Sequence, residues 1–154
     1  MLFFVSIKFF DSLIYYYKKT ENLIEINQKD RFQRSPIHFA CFGGNFSIIT
    51  NLLKNNESFD SVDCDGLKPI HYAVMGGKLD VLKYLFTNKF DVFSCTNRNY
   101  NSPLHIACQY GYLDIVEYYV DFIIPNSEVN DYNNFLSLFC PNKINTFTYC
   151  MQME

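Results

Sequence analysis

A six-residue segment occurs three times along the chain at a nearly constant spacing. In every copy the second residue is proline, the fourth is histidine and the sixth is alanine. The prolines, Pro36, Pro69 and Pro103, lie 33 and then 34 residues apart. A repeat of this length indicates one supersecondary unit stacked on itself, because a single unit cannot bury its own apolar surface. The three copies are residues 35–40, 68–73 and 102–107.

Each copy carries the signals that start and end a short helix. Serine before proline, as at Ser35 and Ser102, is typical of an N-cap followed by the first helical residue. A glycine follows each copy, at Gly44, Gly77 and Gly111. Glycine ends helices readily because it enters the left-handed region without a steric penalty. The pattern therefore predicts a short helix in every copy.

A second apolar stretch after each glycine predicts a second helix. In the middle copy Leu79, Leu82 and Leu85 recur at helical spacing, and Val81 and Tyr84 widen the apolar stripe. The apolar residues of the other two stretches are Phe46, Ile49, Leu52 and Leu53, and Leu113, Val116 and Tyr119. Neither helix of a unit can hide its apolar face alone, so we expect the units to stack around one continuous core.

These positions resemble the ankyrin repeat, whose unit runs from an Asp-x-x-Gly turn through Thr-Pro-Leu-His-x-Ala to a glycine and a second helix. Tetratricopeptide repeats share the period but need a tryptophan, which this chain lacks. The resemblance implies an all-α fold, an ankyrin-type α-solenoid of stacked helix-turn-helix repeats joined by β-hairpin-like loops. The residues that match the family motif are Pro36, His38, Ala40, Gly44, Gly66, Pro69, His71, Ala73, Gly77, Pro103, His105, Ala107 and Gly111.

The resemblance also divides the chain. We expect a single ankyrin repeat domain over residues 1–141, followed by a C-terminal tail, 142–154. Such an array with atypical ends is either a fragment of a longer scaffold or a short protein with degenerate caps, and the sequence leaves both open. The predicted parts are a half-unit at 2–25, repeats at about 26–58, 59–92 and 93–126, and a degenerate fourth unit at 127–141.

Three departures from the family pattern predict a marginally stable stack. Lys68 replaces the Ser or Thr cap of the second copy, and losing such a cap costs about 1 kcal/mol. Gln33 and Tyr100 occupy the glycine position of the first and third turns. If those turns keep a left-handed residue there, each costs roughly 1–2 kcal/mol.

The histidines and cysteines do not form a metal-binding pattern. His38 and Cys41, and likewise His105 and Cys108, are spaced like ligand pairs, but Val74 interrupts the series in the middle copy. A zinc site needs about four converging ligands. The resemblance implies instead that each histidine hydrogen-bonds backbone groups of the adjoining turn. The cysteines lack Cys-x-x-Cys spacing, so we expect free thiols in a reducing compartment.

The remaining sequence signals exclude several functional classes. No phosphate-binding glycine loop, zinc-protease motif or nucleophile elbow is present, so we predict neither an enzyme nor a bound cofactor or metal. The net charge of −3 does not favour nucleic acid. No apolar run of about 18 residues predicts a membrane span, and the apolar N-terminus lacks the basic region of a signal peptide. We therefore expect an intracellular, cytoplasmic protein.

The resemblance implies a protein-protein interaction module that binds another protein through its concave face. The first turn supplies three cations beside Phe32, which suggests an acidic ligand with an apolar anchor. An alternative is a regulatory protein that inhibits or recruits an enzyme, similar to ankyrin kinase inhibitors or ligase adaptors. The predicted partner-binding residues are Lys29, Arg31, Phe32, Arg34, Phe42, Cys64, Asp65, Leu67, Met75, Arg98, Asn99, Asn101, Gln109 and Tyr110.

Overall fold

The structure consists of three consecutive helix pairs. It is a computed structural model that describes residues 29–93, 102–123 and 125. In these residues the last α-helix continues into a π-helical turn, Tyr119–Ile123, and there is no β-strand. The predicted all-α fold of stacked helix-turn-helix repeats is confirmed. The α-helices are α1 (Pro36–Gly43), α2 (Phe46–Lys54), α3 (Pro69–Met75), α4 (Leu79–Thr87), α5 (Pro103–Tyr110) and α6 (Leu113–Tyr118).

The first helices of the three pairs stack side by side, with α1 against α3 and α3 against α5. Each second helix packs on the first helix of its own pair. The motif alanines, Ala40, Ala73 and Ala107, are at most 1% exposed. One core therefore runs through all three pairs, as expected for a solenoid. Its other deeply buried side chains include Ile37, Cys41, Ile49, Val74, Val81, Leu82, Leu85 and Ile115.

Every first helix begins with the same local geometry. The residue before each motif proline is extended, with ψ of 163° at Ser35, 164° at Lys68 and 163° at Ser102. A following proline favours this conformation, because it clashes with a helical residue before it. The backbone N–H of the same residue donates to Nδ1 of the motif histidine at 3.1, 3.0 and 3.2 Å. The histidine thus fills the role that Glu or Gln has in a capping box.

Lys68 begins α3 without a side-chain cap, because an ammonium group has no acceptor for the helix N–H groups. Its Nζ instead lies 3.2 Å from Oδ1 of Asp60 and 3.4 Å from Oδ2 of Asp91. Both carboxylates are well exposed, so each pair contributes at most about 1 kcal/mol. These ion pairs offset part of the predicted loss of the cap.

Every first helix also ends in the same way. Gly44, Gly77 and Gly111 have φ of 71°, 64° and 72°, in the left-handed region. The N–H of the residue after each glycine donates to the carbonyl of the motif alanine, at 3.1, 2.9 and 3.0 Å. This is the bond of a Schellman motif, which satisfies a helix carbonyl that would otherwise lack a donor.

The predicted apolar stripe of α6 is only partly correct. Tyr119 is buried and Val116 is half-buried, but Leu113 is 62% exposed, and Ile115 takes its place in the core. Leu113 is the first residue of its helix, and helical side chains point back towards the N-terminus. The side chain therefore projects beyond the core instead of into it. Phe46, at the equivalent position of α2, is 36% exposed, whereas Leu79, the first residue of α4, packs partly against the core.

The first turn keeps a left-handed residue, which was the condition for the expected cost at Gln33. Gln33 has φ of 60°, and Gly66, one period later, has φ of 78°. The glutamine therefore carries the steric penalty of roughly 1–2 kcal/mol that glycine avoids. Tyr100, the half-unit at 2–25, the fourth unit at 127–141 and the tail lie outside the described residues.

Candidate protein-binding surface

The loop before α1 forms a closed turn, which we call the first tip (residues 29–34). The Asp30 N–H donates to the Arg34 carbonyl at 3.0 Å. Oδ1 of Asp30 accepts the N–H groups of Phe32 and Arg34, both at 2.9 Å. Partial burial alone would raise the pKa of Asp30, but the bonds from Arg34 and Phe32 outweigh burial and hold the pKa below its ordinary 3.8. Its charged carboxylate therefore fixes the shape of the first tip.

Arg34 is buried, which corrects its predicted place among the exposed residues of the first tip. The residue is 6% exposed, and its Nε donates to Oδ2 of Asp30 at 2.8 Å. Its guanidinium carbon lies 4.8 Å from the ring centroid of Phe32 and 4.8 Å from that of Phe39. A paired guanidinium between two rings is satisfied inside the fold. Arg34 therefore supports the first tip from below.

Lys29, Arg31 and Phe32 remain accessible on the first tip. Phe32 is 39% exposed, and the guanidinium carbon of Arg31 lies 4.6 Å from its ring centroid. An arginine stacked on a ring still presents the N–H edge that matches a carboxylate, and stacking reduces the side-chain freedom lost on binding. The first tip thus combines an accessible aromatic ring with a partly ordered cation.

The loop before α3 repeats this turn one period later, and we call it the second tip (residues 62–67). Oδ1 of Asp63 accepts two backbone N–H groups at 2.8 Å. The N–H of Cys64 donates to the carbonyl of Phe32 at 2.9 Å, so the two tips are joined through their backbones. Of the predicted partner-binding residues here, Cys64 is exposed, and Asp65 and Leu67 are half-buried.

A buried tyrosine ties the second tip to α3. The hydroxyl of Tyr72 donates to Oδ2 of Asp63 at 2.8 Å. Burial raises the pKa of Tyr72 and the Asp63 carboxylate raises it further, so the tyrosine stays protonated and keeps this bond. Sequence analysis missed this role because Tyr72 stands at a core position, which Phe39 and Ile106 occupy in the other copies.

A row of accessible side chains follows the stacked first helices, and we call it the first-helix line (Phe42, Met75, Gln109 and Tyr110). The first three occupy equivalent positions of successive repeats. Phe42 and Met75 are half-buried, and Met75 packs partly against the core, whereas Gln109 is exposed. Tyr110 is 53% exposed.

A second tyrosine holds Tyr110 in place. The rings of Tyr110 and Tyr112 are stacked, with centroids 5.9 Å apart and planes 11° from parallel. The Tyr112 hydroxyl donates to the Met75 carbonyl at 3.3 Å, which ties the pair to the preceding repeat. The exposed ring of Tyr110 is therefore positioned before a partner binds. Of the other predicted residues, Arg98, Asn99 and Asn101 lie outside the described part of the chain.

Comparison with known families accounts for most of the chain. The profile for ankyrin repeats in three copies matches residues 6–94, and the profile for a single ankyrin repeat matches residues 99–129. The chain belongs to the ankyrin repeat family. Ankyrin repeats are in general protein-protein interaction modules. A comparison with curated proteins finds no match.

The ankyrin histidines have partners within the fold. Nε2 of His38 lies 3.2 Å from the carbonyl of Leu67, which belongs to the next repeat. Burial lowers the pKa of His38 below its ordinary 6.5, although the Leu67 carbonyl acts in the opposite direction. The ring is therefore neutral at pH 7, and Nδ1 can accept while Nε2 donates. Burial also raises the pKa of the Cys41 thiol. Within residues 29–93 and 102–123, no group of three or more potential ligands could hold a metal ion.

The outer faces of the second helices of this ankyrin stack change charge along the chain. The exposed charged residue on α2 is Lys54, α4 carries Asp80 and Lys83, and α6 carries Asp114 and Glu117. The outer face therefore becomes more acidic from the first pair to the third. No helix in the described ranges is long and apolar enough to cross a bilayer.

Proposed function

We propose that this ankyrin repeat protein is a recognition module whose partner protein lies across the two tips and the first-helix line. Its action is binding, with no reaction carried out on the partner. The described residues of this surface supply aromatic, sulfur-containing and cationic side chains, which are the types enriched at the centres of protein interfaces.

The accessibility of the first-helix line is the observation that carries this proposal. The helices that bear it are otherwise buried, since Ile37 to Cys41 and the equivalent residues of α3 are within the core. At the equivalent position of each repeat the side chain stays at least partly open, as at Met75 and Gln109, and Tyr110 is exposed next to Gln109. Large side chains displayed at a fixed interval on a rigid support lose little freedom on binding, which favours recognition of an extended surface.

A cross-linking experiment tests the position of the partner. A photoreactive amino acid replaces Gln109 on the first-helix line or Asn51 on the outer face of α2, both of which are exposed. After irradiation in cells, we expect covalent adducts with a partner from position 109 and none of the same mass from position 51. Adducts from position 51 alone would place the partner on the opposite side and refute the proposal.

A matched pair of aromatic substitutions then measures the contribution of the first-helix line. Tyr110 and Phe122 are 53% and 55% exposed, and each ring stacks on another tyrosine. With the partner identified by cross-linking, Tyr110→Ser is expected to weaken binding roughly thirtyfold, the effect of losing an aromatic hot spot. Phe122→Ser should leave the affinity within about twofold. Equal losses would mean that exposed aromatic area in general, and not this line, supports binding.

A further inference from the structure

We propose, on the basis of the recognition function above, that the partner presents a short extended segment in which carboxylates flank one large apolar side chain. The carboxylates contact the first tip, and the apolar side chain lies against Phe32. The rest of the segment then runs towards the second tip.

The positive charge of the first tip favours a ligand with carboxylates. Asp30 is occupied by Arg34 and by two backbone N–H groups. Among the described residues no acidic side chain pairs with Lys29 or Arg31, so these two cations are open to a ligand. Carboxylates are the groups that complement them.

The two cations are not equivalent. Burial raises the pKa of Glu57, and a hydrogen bond with Ser35 and the charge of Lys29 act against this rise, so Lys29 already has a carboxylate within reach of its charge. Arg31 is stacked on Phe32, and none of the ion pairs of the described residues includes it. Because a guanidinium binds a carboxylate through two parallel hydrogen bonds, Arg31 is the main contact.

The aromatic ring specifies the apolar part of the segment. Phe32 has guanidinium carbons at 4.6 and 4.8 Å from its centroid and still exposes 39% of its surface. Its carbonyl accepts the Cys64 N–H and its own N–H donates to Asp30, so the exposed ring is the part of Phe32 that the segment contacts. A large apolar side chain next to the carboxylate satisfies both the ring and Arg31.

The limited extent of positive charge separates a short acidic segment from a long polyanion. The second tip carries Asp63 and Asp65, and the outer face of α6 carries Asp114 and Glu117. The whole chain has a net charge of −3. A nucleic acid or an anionic membrane would be repelled by the surface beyond the first tip. A segment whose carboxylates all lie beside its apolar side chain, at the first tip, would not be repelled.

The test is selection from a random peptide library displayed on phage, with the intact chain as bait. We expect enriched peptides to combine Asp or Glu with Leu, Phe or Trp. Arg31→Ser should weaken their binding by up to roughly fivefold, since an exposed ion pair contributes up to about 1 kcal/mol. Lys54→Ser, which removes an exposed cation from α2, is the matched control and should have no effect. Thermal unfolding of both variants checks that the fold is retained.

Each other outcome overturns a defined part of the argument. Enriched peptides without acidic residues that still depend on Tyr110 would reject the ligand class and leave the recognition function standing. Peptides whose binding is weakened only by substitution of Asn51 or Lys54 would show that the proposed recognition surface is wrong. Tighter Arg31-dependent binding of a single-stranded oligonucleotide, or of phosphatidylserine vesicles, would show that the first tip serves a polyanion and not an acidic protein segment.

Discussion

The backbones of α1 and α3 approach each other closely at Gly76, and replacing this glycine tests the stack directly. A Cβ atom built on Gly76 would lie 2.1 Å from the carbonyl oxygen of Phe42 and 3.0 Å from its carbonyl carbon. The obstacle is backbone, so it cannot rotate away as a flexible side chain would. Gly43 lies one period earlier in the chain, and an added Cβ there meets nothing within 4 Å among the described residues. Gly43→Ala is therefore a matched control.

The magnitude follows from overpacking and from chain entropy. Moving α1 and α3 apart by the required distance of about 1 Å costs up to roughly 3 kcal/mol, the upper part of the range for added core atoms. Alanine has fewer conformations than glycine in the unfolded chain, which stabilises the fold by at most about 1 kcal/mol in both variants. We therefore expect Gly76→Ala to lower the free energy of unfolding by about 2 kcal/mol and Gly43→Ala to raise it slightly.

Urea and thermal unfolding of the purified full chain, followed by far-ultraviolet circular dichroism, measure this difference. For a chain of 154 residues, a gap of about 3 kcal/mol between the two variants corresponds to roughly 6–12 °C in Tm. If both variants unfold at the same temperature and urea concentration, α1 and α3 do not approach as closely as the structure shows, and the reasoning fails.

Three further predictions concern the loops and the buried polar groups. Gln33→Gly should stabilise the fold by up to about 1 kcal/mol, because glycine adopts the left-handed conformation without a steric penalty. Gly66→Ala should destabilise the fold by roughly 1–2 kcal/mol for the opposite reason. Urea unfolding that ranks the two variants in the opposite order would contradict this. Tyr72→Phe removes the donor to Asp63 and should cost about 1–3 kcal/mol in the same assay, so an unchanged midpoint would argue against the bond. Burial lowers the pKa of His38, so below about pH 6.5 the unfolded chain takes up a proton that the folded chain does not. The free energy of unfolding should therefore decrease as the pH is lowered through that range. His38→Gln should flatten this slope, and an equal slope in both proteins would show that another group titrates.

The helix boundaries were predictable because their signals are local. Ser35 before a proline and Gly44 after the alanine specify a start and an end through the conformations of single residues. The left-handed turn residue at Gln33 followed from the same kind of argument, since its place in the turn requires that conformation.

The environment of individual side chains was not predictable in the same way. Arg34 looks like a surface cation in the sequence, but its burial depends on Asp30 and on the ring of Phe39, which the fold places beside it. Gly43 and Gly76 each precede the helix-ending glycine and look alike, yet only one meets a neighbouring backbone. Such differences depend on how neighbouring parts of the chain pack, and the sequence pattern of one repeat does not predict that packing.

The bond from His38 to the Leu67 carbonyl limits how an array of this kind can change length. The acceptor belongs to the loop of the following repeat, so the first helix pair depends on the second for a hydrogen-bond partner. A deletion of part of the period between His38 and Leu67 would leave a buried imidazole facing the wrong atoms. The length of chain between these two residues is therefore constrained by a buried contact, and not only by the surface loop that connects them.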